Sequence, residues 1–109
     1  MPTAYKTLGQ SAPAATTLTT LYTVPSATSA VASSIVICNQ AATAATYRIA
    51  VRPAGAAVSA QHYIVYGATV AASDSTVLTI GITLAATDVV SVYASSATLS
   101  FSLFGSEIS

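Results

Sequence analysis

Apolar and polar positions alternate along much of this chain. Across 46–52, Tyr47, Ile49 and Val51 fall on one side, and Arg48 and Arg52 share the other. Across 98–104, Leu99, Phe101 and Leu103 alternate with Thr98, Ser100 and Ser102. A period of two is the spacing of a half-buried strand. The run Val89-Val90-Ser91-Val92-Tyr93 precedes the second of these, and 94–97 is expected to join the two as a hairpin. Further strands are predicted at 17–24, 31–39, 61–66 and 76–83. Breakers separate them at Pro25, at 39–44, at the Pro53-Ala54-Gly55 turn signal, at Gly67, at 72–75 and at 86–88. Residues 56–66 are rich in Ala, the best helix former, and a helical turn fits there. No full amphipathic period supports one, so only the second half is assigned to a strand. Residues 1–16 hold two prolines, a glycine and little periodicity. They predict an extended arm reaching up to ~50 Å, enough to cross onto a neighbouring subunit. The expected fold is all-β: an antiparallel β-sandwich or jelly-roll-like domain over 17–109, with the N-terminal arm over 1–16.

Composition strengthens the strand assignment and changes the picture of the surface. Val, Ile and Thr total 34 of 109 residues, and branched side chains favour strands. The chain also has 23 Ala and 15 Ser, but only six charged residues: Lys6, Arg48, Arg52, Asp74, Asp88 and Glu107. An average domain of this length carries about 27. Formal net charge is zero. Disorder is unexpected, because it accompanies low hydrophobicity and high net charge. Nucleic acid is not an expected partner, since no basic cluster exists. An internal disulfide is excluded, because Cys38 is the single cysteine. Neither an export signal nor a membrane partner is expected. The first residues lack an apolar h-region, and the uncharged stretch 7–47 is interrupted by hydroxyls and amides, whereas a spanning helix needs about 20 mostly apolar residues. The chain is read as a soluble protein made inside the cell, and its single unpaired thiol fits a reducing compartment.

A protein of this mass exposes roughly 5,600 Å². Six charged side chains leave most of that to hydroxyls, methyls, backbone and larger apolar groups. Neutral surfaces associate, and exposed apolar patches mark interfaces. Coverage by further copies, as a dimer or trimer, is therefore expected. The competing reading is a monomer wetted by its Ser and Thr hydroxyls.

Candidate chemistry is sparse. A hydrolase triad would have to use His62, with Asp74 or Asp88 as orienter, but no serine sits in a G-x-S-x-G elbow. His62 reads more simply as a half-buried or interface residue. Cys38, after Ile35-Val36-Ile37, reads as a small buried hydrophobe. No metal-ligand spacing, paired carboxylates or phosphate loop appears, so no enzyme activity and no cofactor are expected. Arg48 and Arg52 are the most informative charges. They suit carboxylates of a neighbouring copy (Glu107, Asp74 or Asp88), another partner, or plain solvent. The six tyrosines suit core and interface positions, and an aromatic platform for sugar is the alternative. The candidate interface residues are Tyr5, Lys6, Arg48, Arg52, Tyr63 and Tyr66.

The segments AYKTLGQSAPAATTLTTLYTVP, YRIAVRPAGAA, HYIVYG, LTIGITLAATDVVSVYA and LFGSEI, in that order, resemble a group of small tailed-bacteriophage virion proteins. The resemblance spans the chain but is compositional and positional, and it carries no functional residues. It implies a virion location and a structural role, either as a capsid decoration (cement) protein or as a small tail, baseplate or fibre component. The implied partners are further copies and a major capsid or tail protein. A small carbohydrate-binding or adhesion module is the alternative outside that class.

Overall fold

Residues 3–109 are described by a computed structural model. It contains eight strands: β1 (Thr3–Ser11), β2 (Thr19–Thr23), β3 (Ser29–Asn39), β4 (Ala45–Arg52), β5 (Tyr63–Val70), β6 (Ser75–Leu84), β7 (Val89–Ala94) and β8 (Leu99–Ile108). Two short 3-10 turns, Pro53–Gly55 and Ala60–His62, lie between β4 and β5. Strand order is β1-β8-β3-β6 in one sheet and β2-β7-β4-β5 in the other, and every pairing is antiparallel. The pairs β1 with β8, β2 with β7, β3 with β6 and β4 with β5 are those of one long hairpin rolled up so that successive pairs alternate between sheets. That is the connectivity of an eight-stranded jelly roll. The expected antiparallel sandwich is therefore the fold, and of the two forms anticipated, the strand order is the jelly roll.

Alternation decides which face each strand buries. Ile35 and Ile37 of β3, Tyr47 and Ile49 of β4, Val90 and Val92 of β7, and Leu99, Phe101 and Leu103 of β8 fill the space between the sheets. Tyr47 and Phe101 meet edge-on across it, with centroids 6.2 Å apart. Asn39 is buried at the end of β3. Its Nδ2 donates to the carbonyls of Thr43, Val70 and Ala71, and its Oδ1 accepts from the Ala41 N–H. A buried amide with those partners fixes the 40–44 loop against the end of β5.

Three expectations need correcting. Thr3–Ser11 is not a free arm: it is an edge strand, paired with β8 from Thr3↔Ile108 to Ser11↔Phe101. Residues 1 and 2 of the expected arm lie outside the described residues. The 94–97 segment is not a hairpin turn, because β7 and β8 belong to different sheets and the segment crosses between them. Gln61 lies in a 3-10 turn rather than a strand, and β5 begins at Tyr63.

The two long edges of the sandwich differ. On the β1–β2 side, Gly9 packs against the Leu21 carbonyl so closely that a Cβ would overlap its oxygen. Both strands carry register irregularities at this point, at Leu8 and at Leu21. On the opposite side, β5 and β6 are also edge strands, paired only with β4 and β3 respectively, but they make less contact with each other than β1 and β2 do.

Candidate functional site

The outer face of the β2-β7-β4-β5 sheet carries the most organised surface cluster. Alternation along β4 sends Tyr47 and Ile49 inward and Arg48 outward. The register places Arg48 beside Tyr93 on β7 and Tyr66 on β5. Its guanidinium carbon lies 4.2 Å from the Tyr66 ring centroid and 4.3 Å from that of Tyr93. A guanidinium between two ring faces is held by their quadrupoles while its N–H edge stays open to acceptors. Tyr63 packs edge-on to Tyr66 at 5.0 Å. Beyond these rings an open depression of about 600 Å³ is lined by Val58, Ser59, Ala60, Tyr63 and Tyr66. Tyr66 is 65% exposed.

Of the six candidate interface residues, the structure brings Arg48, Tyr63 and Tyr66 together. Arg52 lies two pleats along β4 with a different task. Its Nε donates to Ser91 Oγ and its Nη1 to the Ala56 carbonyl, tying the 3-10 segment to the sheet. Tyr5 and Lys6 belong to the other sheet. Tyr5 is 85% exposed, beside a shallow hollow with Val31 and Phe104. Lys6 Nζ pairs with Glu107 Oε1 at 2.7 Å. Tyr22 of the opposite sheet donates its hydroxyl to Glu107 Oε2. The ammonium and the phenol together hold the Glu107 carboxyl below the usual carboxylate range. Burial, then the adjoining carboxylate, pushes the Tyr22 phenol well above its ordinary value.

The acids expected to meet Arg48 and Arg52 across an interface all have partners within their own chain. Glu107 is engaged within its own chain. Asp88 accepts from the Ala54 and Ala85 N–H groups, and Asp74 accepts from the Ser75 N–H. Among the described residues no carboxylate pairs with Arg48. His62 is buried, and its Nδ1 accepts from the Ser59 N–H at 3.1 Å, closing the 3-10 turn. Cys38 is half-buried on the side of β3 opposite Ile37, rather than in the core. Among the described residues no three His, Cys, Asp or Glu lie together as metal ligands. No helix of the described residues is long and apolar enough to cross a membrane.

Sequence reading missed Tyr93 as the second ring on Arg48, and Tyr22 with Glu107 as a link between sheets. The outward position of Tyr93 follows from the alternation in 89–93. Its adjacency to Arg48 depends on strand order, which periodicity does not encode. No family model, curated protein or solved structure matches the chain.

Proposed function

We propose that this protein is a non-enzymatic structural component of a bacteriophage virion, acting as a homo-oligomeric decoration (cement) protein that stabilises the capsid. The observation that carries this reading is a surface poor in charge but supplied with large apolar side chains. Tyr5, Val31, Val58, Ile64, Tyr66, Val77 and Ile80 all stand exposed on a chain with six charged residues. Such a surface suits burial against identical copies and a shell. The resemblance to small virion proteins points the same way. Jelly rolls serve viral capsid domains, lectins and cupins alike, so the fold is compatible with the reading without choosing it. The alternative position within a virion is the tail, baseplate or fibre. Imaging of purified particles, with copy number from quantitative gels, tests both. Hundreds of copies on the shell are expected. A few dozen at the tail would select the alternative, and absence from the particles would overturn the reading.

The Arg48–Tyr66–Tyr63 surface and its depression favour a second reading, a small carbohydrate-binding or adhesion module. Exposed rings stack on sugars, and the open guanidinium edge suits an acidic one. Glycan-array binding lost on Tyr66→Ala would support it, and an array with no signal for the wild-type chain would remove it.

A further inference from the structure

We propose that β6 is a homotypic docking edge, through which two copies pair β6 to β6 about a twofold axis and join their four-stranded sheets into one of eight strands. This rests on the assembly reading above and names its contact.

Among the described residues, four of the seven large exposed apolar side chains lie on the two strands of the β5–β6 side: Ile64 and Tyr66 on β5, Val77 and Ile80 on β6. The two strands differ as templates. Register shifts at Ile64 and Gly67 interrupt β5 twice within eight residues, and bulges of that kind blunt an edge. On β6, Ser75–Thr79 runs in unbroken register with Cys38–Ser34 of β3. The first irregularity comes only at Ile80–Gly81, where Gly81 has φ +55°. That regular stretch has one partnered side, no proline and no charge. It carries none of the protective devices that edge strands use against pairing. An antiparallel partner would satisfy its free N–H and C=O groups.

Charge argues for a second copy as the occupant. Asp74 is the single charged residue between Arg52 and Asp88, so nothing along this edge selects an oppositely charged partner. Self-pairing meets no repulsion, because the protein as a whole is neutral. Placing the twofold at Val77 sets Val77 against its twin, Ser75 against Thr79, and Asp74 against Ile80 rather than against the other Asp74. Val77 is 62% exposed, and in this register it becomes the apolar centre of an isologous contact.

Sedimentation equilibrium over a wide range of concentrations tests the contact. The wild-type chain is expected to self-associate. Val77→Lys sets two ammonium groups against each other and is expected to weaken association tenfold or more. At dilutions where both proteins are monomeric, its thermal midpoint and far-UV circular dichroism should stay at the wild-type values, since the side chain already faces solvent. Mixing Val77→Lys with Val77→Glu is expected to restore pairing between the two variants. Wild-type association that Val77→Lys leaves unchanged would overturn the β6 contact and leave the assembly reading standing. A wild-type chain that stays monomeric throughout would overturn both.

Discussion

Glu107 shows how much one side chain does when charges are few. It links β8 to Lys6 of β1 and to Tyr22 across the sandwich, so its ionised form is stabilised by folding. A carboxyl held below its ordinary value adds stability that is fully present above the unfolded value of about 4.3. That stability is lost as pH falls through the lower folded value. Glu107→Gln is therefore expected to cost about 1.5–3 kcal/mol at pH 7, the range for hydrogen bonds to charged groups. The gap in urea midpoint between the two proteins should narrow as pH falls below about 4.3, and a gap that stays constant or widens on acidification would contradict the assignment. Arg48 has a different environment. Two ring contacts at a partly exposed site contribute about 0.5–1 kcal/mol each. Arg48→Ala should lower stability by roughly 1–2 kcal/mol in denaturant titration, and Arg48→Lys, which keeps charge but not the planar stack, by less. Alternation made the outward direction of Arg48 legible from its neighbours Tyr47 and Ile49. The identity of its ring partners was not legible, because Tyr66 and Tyr93 lie 18 and 45 positions away and reach it only through strand order.

Strands with one buried face announced themselves, and the strand with neither face buried did not. β3, β4, β7 and β8 all contact the core, and their hydrophobic period survives in the sequence. Thr3–Ser11 is exposed along most of its length, so burial imposes no alternation on it. Backbone pairing with β8 holds it, and pairing leaves no signature in side-chain type. The supposed hairpin at 94–97 failed for a related reason. Two adjacent amphipathic strands look alike whether the chain returns within one sheet or crosses to the other. A free arm and an edge strand make opposite forecasts on deletion. Removing residues 1–11 from an arm would leave the fold untouched. Removing β1 exposes the edge of β8 and separates Glu107 from Lys6. A fall in melting midpoint of about 10 °C or more is expected, equivalent to roughly 2 kcal/mol for a domain of this size. An unchanged midpoint would return the segment to an arm.

At the scale of the whole molecule, the shortage of charge and the jelly-roll connectivity act together. The chain exposes 5336 Å², close to what its mass predicts for a compact monomer, so the fold does not reduce its surface by unusual shape. What is unusual is the composition of that surface. All three carboxylates are engaged within the chain, two on backbone N–H groups and one on Lys6 and Tyr22. Under the proposed assembly, contacts between copies would rely chiefly on apolar burial and backbone hydrogen bonds, and these respond to salt differently from ion pairs. Exposed ionic contacts weaken as the Debye length shrinks from ~10 Å at 0.1 M to ~3 Å at 1 M salt. Apolar contacts do not weaken in that way, and sulfate strengthens them by exclusion from the surface. Self-association measured in sodium chloride from about 0.05 to 0.5 M is accordingly expected to change by less than about twofold, and to tighten in ammonium sulfate. A tenfold loss across the chloride series would mean that Arg48, Arg52 or Lys6 reaches an acid on the neighbouring copy. The apolar account of the interface would then give way to an electrostatic one.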